Sequence, residues 1–247
     1  MVPRHRRSAS KRAHLRVLLT GFEPFDGSSV NPSAEVVAAL ANEPLDGASV
    51  VPLVLPVVGG VATRRLLRAI DAESPDAVIM LGESSRAAAI TLERVAVNLR
   101  DYRIADNAGA VVRDQPVVRG GPAAYFSALP VRDLLEAVTA EGIACDLSLS
   151  AGSFLCNEVM YAALHDAATR APRRPTGFVH LPRLPRQVGR DGRQPSMPIE
   201  AQVHGVAVIL ETLAATTPRV SPRGEAQTSR ARATKGRRAG AGRRTKR

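Results

Sequence analysis

Aromatic residues make up only 3% of the 247-residue chain, and tryptophan is absent. The core must therefore be aliphatic, and an apolar content of 45% is enough to build a sizeable one. A length of this order suits one large domain or two small ones. No uninterrupted apolar run reaches the ~18 residues that a membrane-spanning helix needs. The N-terminus is basic but lacks an apolar secretory segment and a small-residue cleavage site. Residues 1–16 carry six Arg/Lys and no acids. That composition would suit a transit peptide, although a basic extension without such a role is the simpler reading. Cysteine is scarce, with only Cys145 and Cys156 present. Without an export signal, reduced thiols in a cytoplasmic protein are expected rather than a disulfide. Two thiols with no histidine cluster beside them also argue against a zinc site.

Charge is abundant but unevenly spread. Of the formal net +11, residues 219–247 hold +10 and residues 1–16 hold +6, which leaves −5 on the stretch between them. The high isoelectric point therefore belongs to the two ends. A basic groove on a folded body would imply nucleic acid, whereas a basic tail implies much less. The C-terminal run lacks apolar periodicity and is rich in Arg, Gly, Ala and Thr, so disorder is expected over 218–247. Any nucleic-acid binding would be non-specific and confined to that tail.

Between the ends, strand and helix patterns alternate. Strands are expected at 15–22, 48–57, 76–82, 90–101, 146–155 and 176–182. Helices are expected at 31–42, with Asn31 as cap and Pro32 in the first turn, and at 59–74, 132–142, 156–170 and 199–216. No internal repeat is found. This alternation predicts an α/β fold with a largely parallel sheet. The expected organisation is a basic extension at 1–16, one α/β domain at 17–217 and the tail.

Cys156 falls at a turn from strand to helix, and sites in open α/β sheets form at the carboxyl ends of strands. The positive end of a helix dipole favours negative charge there, and the unpaired N–H groups of the first turn suit an oxyanion. A buried cysteine serving as a small apolar residue is nonetheless the commoner arrangement. Cys145, between a helix end and a strand start, reads as structural. A cysteine nucleophile needs a base. His5 and His14 lie in the basic arm, and His165 and His204 lie within helices. His180 ends a strand, and it would share an edge with Cys156 if its strand ran parallel to the one before Cys156. An acid must hold the imidazole. Glu93, a carboxylate inside a β-rich run, is the candidate; Asp101, Asp106 and Asp114 sit in turn-rich sequence and read as caps or turn formers.

These residues lie in motifs that together resemble the pyroglutamyl peptidase I (pyrrolidone-carboxylate peptidase) family of cytosolic cysteine exopeptidases. The motifs are LLTGFEPFDG (18–27) with NPS (31–33), ITLERVAVN (90–98) with DYRIADNAG (101–109), GGPAAY (120–125), SAGSFLCN (150–157) and GFVHLP (177–182). They occur in the family's order from Val17 to Ala214 and exclude both ends. The resemblance implies a three-layer α/β/α sandwich around a twisted, mostly parallel mixed sheet, often assembled as a homotetramer. It implies removal of N-terminal pyroglutamyl residues from blocked peptides through a thioester, without metal or cofactor. Glu93, Cys156 and His180 match the family's catalytic residues one for one. Phe22, Phe25 and Phe154 match positions that clamp the flat lactam, and Arg103 would help the backbone stabilise the oxyanion.

The match fails in one stretch. Where the family usually shows Gln-Ala-Gly-Gly-Arg, this chain reads ESSRA (83–87). A glutamine amide both donates and accepts, but an ionised Glu83 only accepts, so Glu83 calls for a donor or a cation nearby. Loss of the glycine pair also removes backbone freedom. Ala34 stands where the family often has Trp, and PheAspGly (25–27) replaces a more usual PheGlyGly. Two alternatives stay open: a thiol amidohydrolase with a different N-acyl or lactam substrate, and a binding protein that uses its basic tail.

Overall fold

The structure, a computed structural model, describes residues 14–170, 173–189 and 193–217. His5 and the expectations for the tail lie outside these residues. Strand β1 (Leu15–Phe22) begins two residues inside the stretch assigned to the basic extension. It is followed by α1 (Pro32–Leu40), β2 (Ala48–Leu55), α2 (Val61–Glu73), β3 (Ala77–Ser84), β4 (Ile90–Glu93) and β5 (Val95–Val97). Then come β6 (Ala124–Phe126), α3 (Val131–Ala140), β7 (Cys145–Ser148), α4 (Leu155–Thr169), β8 (Thr176–Pro182) and α5 (Ile199–Thr216).

Six strands form one sheet in the order β2-β1-β3-β8-β4-β7, and β5 and β6 form a separate antiparallel pair. Every neighbouring pair in the large sheet is parallel except β8 with β4. The central strands read as almost continuous apolar runs because both faces are covered. One face carries Leu15, Val17, Leu19, Ile79, Leu81, Val179 and Leu92 against α1, α3 and α5. The other carries Leu18, Phe22, Val78, Met80 and Phe178 against α2 and α4. The result is the expected three-layer α/β/α sandwich around a mixed, mostly parallel sheet.

Local sequence explains the well-placed ends. Asn31 caps α1 by accepting the Ser33 N–H at 3.1 Å, and Pro32 opens the helix. Gly142, at φ 73°, follows α3 in the left-handed region that glycine adopts without strain.

Three expectations are corrected. The strand expected over 90–101 breaks at Arg94. The Arg94 N–H still bonds Ser148 O at 2.8 Å, but its carbonyl accepts from Ser127 N, which turns the chain into the small sheet. The strand expected over 146–155 stops at Ser148. Beyond it, Ser148 and Ser150 side chains accept the N–H groups of Ser150 and Gly152, so side chains replace the ladder. Finally, β8 runs antiparallel to β4 while β4 runs parallel to β7, so β8 and β7 are opposed. The shared parallel edge expected for His180 and Cys156 does not exist. The loop over 149–154 instead carries α4 back across the sheet onto β8 and β3.

Candidate active site

The site lies on the α2/α4 face. Thr91 of β4 pairs directly with His180 of β8. Side chains alternate along a strand, so Glu93 shares Thr91's face and becomes the diagonal neighbour of His180. The geometry follows: His180 Nδ1 lies 2.8 Å from Glu93 Oε1. Both are buried, at 8% and 2% exposure. The Phe178 ring packs 4.8 Å from the imidazole and fixes its plane. With Nδ1 engaged, Nε2 is the nitrogen left to face Cys156, which lines the same cavity.

Cys156 occupies the first turn of α4, whose cap, Phe154, is extended and offers no side-chain bond. The N–H groups of Leu155, Cys156 and Asn157 meet no acceptor among the described residues. A helix start with free donors beside a sulfur is arranged to meet an oxyanion. Gly82 of β3 makes room for this sulfur. A Cβ there would stand 3.0 Å from Cys156 Sγ and 2.7 Å from Phe178 Cζ.

Burial alone would push the His180 pKa down. The Cys156 and Glu93 side chains beside it reverse this and raise it from 6.5 to about 10.

The three groups open onto a cavity of about 460 Å³ that is also lined by Phe22, Phe25, Glu83, Arg103 and Phe154. The structure thus brings all eight sequence-identified residues to one cavity. Tyr102, buried beside Arg103, packs edge-on against Phe154 at 4.8 Å. Asp26 takes φ 52°, a left-handed conformation that aspartate tolerates, so the PheAspGly turn keeps its shape. None of residues 83–87 has positive φ, so the lost glycine pair leaves no backbone strain.

The other described histidines stay apart from the site. His14 Nδ1 lies near Ala48 O, His165 pairs with the Tyr125 hydroxyl, and His204 faces Glu141. Cys145 is buried, and its thiol pKa is pushed up to about 11 by that burial. Asp106 accepts the Ala108, Ala110 and Gly59 N–H groups, as a turn former and cap should. Asp101 faces Arg113 across 3.6 Å, and Asp114 adopts φ 44°. Among the described residues, no group of three or more His, Cys, Asp or Glu is arranged to hold a metal.

Several supporting residues escaped the sequence reading. Asn157 imitates a neighbouring strand, accepting from Val97 N and donating to Val97 O and Leu99 O at 2.8–2.9 Å. Glu158, buried one residue further on, accepts from Gly60 N and Thr63 Oγ1, each at 2.7 Å, and from the Tyr102 hydroxyl. Together they tie the start of α4 to the segment carrying Arg103 and to the start of α2. Their adjacency to Cys156 was the only signal available. Arg183 and Gln187, just past the histidine motif, were missed as well. Arg183 Nε donates to Glu83 Oε1 at 3.0 Å, and Gln187 Nε2 donates to Glu83 Oε2 at 2.8 Å. They are the cation and donor that a glutamate at this place calls for.

Comparison with known proteins agrees with this geometry. A model of the family described as Pyroglutamyl peptidase matches residues 15–216. The chain is 47% identical over 197 residues to a pyrrolidone-carboxylate peptidase of Vibrio vulnificus, covering 80% of this chain and 92% of that protein. It is 41% identical over 203 residues to one from Treponema denticola, covering 81% and 93%. Among solved structures it resembles pyroglutamyl peptidase I of Bacillus amyloliquefaciens, with a TM-score of 0.78, 35% identity and 82% and 98% of the two chains covered. A mutant pyrrolidone carboxyl peptidase from Pyrococcus furiosus gives 0.76 at 39% identity, covering 80% and 97%. The chain belongs to the pyroglutamyl peptidase family.

Proposed function

We propose that this chain is a cysteine exopeptidase that removes N-terminal pyroglutamyl residues from blocked peptides, with Cys156 as nucleophile, His180 as acid–base and Glu93 as the group orienting His180. The observation that carries this reading is the buried Glu93–His180 pair and the Cys156 sulfur at the start of α4 converging on one aromatic-lined cavity.

The Cys156 sulfur, its proton held on His180, attacks the carbonyl carbon of the pyroglutamyl–Xaa amide. Negative charge moves to the carbonyl oxygen, where the free N–H groups at the start of α4, with Arg103, meet it. His180 gives its proton to the departing amine, the C–N bond breaks and a thioester remains. His180 then takes a proton from water, which attacks the thioester and releases pyroglutamate and the thiol. Phe22, Phe25 and Phe154 supply flat apolar faces for the ring, and Glu83 accepts the lactam N–H.

Hydrolysis of a pyroglutamyl–fluorophore amide tests the reading. Turnover by the wild-type protein and none by Cys156→Ser is the expected result; turnover by both removes Cys156 from the mechanism. Glu83, a carboxylate where the family usually carries an amide, favours a second reading: a thiol amidohydrolase selecting a different N-acyl or lactam group. Rapid alkylation of Cys156 by iodoacetamide without turnover of the pyroglutamyl amide would select it. By resemblance, the protein works in the cytoplasm as a homo-oligomer, a tetramer in the family pattern. No helix among the described residues is long and apolar enough to cross a membrane. Nucleic-acid binding is assigned only to the basic tail.

A further inference from the structure

The cavity wall around Glu83 is built with unusual completeness. The Glu83 side chain is only 3% exposed, yet both carboxylate oxygens are bound. The two donors are themselves fixed. The Gln187 amide is oriented because its Oε1 accepts the Leu184 N–H at 2.8 Å, so its NH2 must face Glu83. Arg183 is held by its backbone, whose carbonyl accepts the Met197 N–H at 2.9 Å, and by a 3.3 Å bond to Gln194. An ionised carboxylate has about four acceptor sites, and these two bonds use two. Two acceptor sites therefore remain on a carboxylate that, like Arg183, lines the cavity.

We propose that Arg183 is a specificity-determining positioning residue: with Gln187, it holds Glu83 as a fixed, acceptor-only carboxylate that selects ligands presenting an N–H to this wall. The inference rests on the lactam specificity proposed above. It explains how this chain accommodates a glutamate in the stretch that departs from the family pattern. An amide at position 83 has one acceptor oxygen and one donor nitrogen. It cannot satisfy the Arg183 and Gln187 donors together without setting its own NH2 against one of them. Glutamate and arginine at these two positions therefore work as a pair, and changing either alone breaks the wall.

Steady-state kinetics of the full-length wild type, Glu83→Gln, Arg183→Met and the double variant test this on the pyroglutamyl–fluorophore amide. Each single variant should lose ~10-fold in kcat/KM, mainly through KM, and the pair should couple within the ~2- to ~150-fold range of contacting neighbours. The double variant should exceed both singles, because the methionine side chain donates nothing and the introduced amide is then free to turn its oxygen to Gln187. A purely structural Arg183 would give a double variant at the product of the two losses, and that outcome overturns the proposal. Equal KM for Arg183→Met and wild type overturns it as well. Arg183→Leu, which likewise donates nothing, serves the same cycle if Arg183→Met fails to fold. A second substrate, with ring oxygen replacing the lactam N–H, should be rejected by the wild type and discriminated less by the double variant. Equal discrimination by both would also sink the idea. If the wild type does not cleave the pyroglutamyl amide at all, the proposed function fails; if it does and the cycle is additive, only the role of Arg183 fails.

Discussion

Two buried carboxylates flank the same cavity, and they are held in opposite ways. Glu83 has both oxygens bound, by Arg183 and Gln187. Glu93 has one oxygen on His180, while its Oε2 finds no partner among the described residues. Arginine keeps its charge at any working pH, so the Glu83 wall is a fixed electrostatic feature. Imidazole is a side chain that can gain or lose a proton, so Glu93 faces a group whose charge can change. Fixing each Glu83 oxygen with one donor while leaving acceptor capacity free suits recognition. Leaving Glu93 under-bonded concentrates its charge on the imidazole, where charge varies. Similar residue types thus produce a static wall and a reactive one within one cavity.

The largest effect is expected on the reactive side. Cys156→Ser should lower kcat by ~10⁴-fold or more, as nucleophile removal does when residues act as a unit. Its thermal unfolding should stay close to that of the wild type, because the change replaces one atom in a first helical turn. A variant with near-native kcat would dissolve the contrast, since neither carboxylate would then face the chemistry.

Glu93→Gln comes next. It keeps an acceptor for Nδ1 but removes the charge, and a loss of ~10²-fold in kcat/KM is expected for a group that orients and stabilises the general acid–base. The pH profile carries the sharper information. His180 is raised toward about 10 by Cys156 and Glu93 beside it, so its alkaline limb should lie above that of a free imidazole. Removing one anion must lower that value, and the alkaline limb of kcat/KM should move to lower pH. Stability has the same sign. A raised histidine contributes fully below its ordinary 6.5 and loses that contribution as pH rises toward about 10. In Glu93→Gln that alkaline loss should shrink. An unmoved alkaline limb would make Glu93 a structural partner, like Glu83.

Gly82→Ala should act through geometry alone. The added Cβ would press on both Phe178 and Cys156 Sγ, the two groups that set the sulfur–imidazole alignment. Misplacement by about an ångström costs up to ~10²-fold. A lower kcat with little change in KM is expected, the reverse of the split expected for Arg183→Met. Equal splits in the two variants would mean that the walls are not separable.

Much of this was readable in the sequence, for identifiable reasons. β1, β8 and α5 fall on the expected residues because a strand buried on both faces and a long apolar-faced helix leave strong patterns. The eight residues read from the sequence meet at one cavity because chemistry restricts which side chains suit such a site, and the ordered motifs restrict where they sit. The antiparallel setting of β8 against β4 was invisible, since side-chain alternation is the same for either direction. The break at Arg94 was hidden for a related reason: β4 and β5 share one alternating pattern although they pair in different sheets. Arg183, Gln187 and Glu158 carry no signature of their own. Their roles exist only through partners between 56 and 104 residues away in the chain.

The smallest expected effect tests whether the support beneath the cavity belongs to either wall. Tyr102→Phe keeps the ring that packs edge-on against Phe154 and removes only the hydroxyl bonded to Glu158. Glu158 retains Gly60 N and Thr63 Oγ1 on its other oxygen, so the start of α4 remains tied to α2. A hydrogen bond to a buried charge contributes about 1.5–3 kcal/mol. At this chain length, that corresponds to a drop of several degrees in Tm, roughly 2–4 °C per kcal/mol. Activity measured well below Tm should stay within about threefold of wild type, because Phe154, Cys156 and Arg103 keep their packing. A large fall in kcat with unchanged Tm would reverse this assignment. It would make the Tyr102–Glu158 bond part of the reactive wall, acting on Cys156 through the first turn of α4.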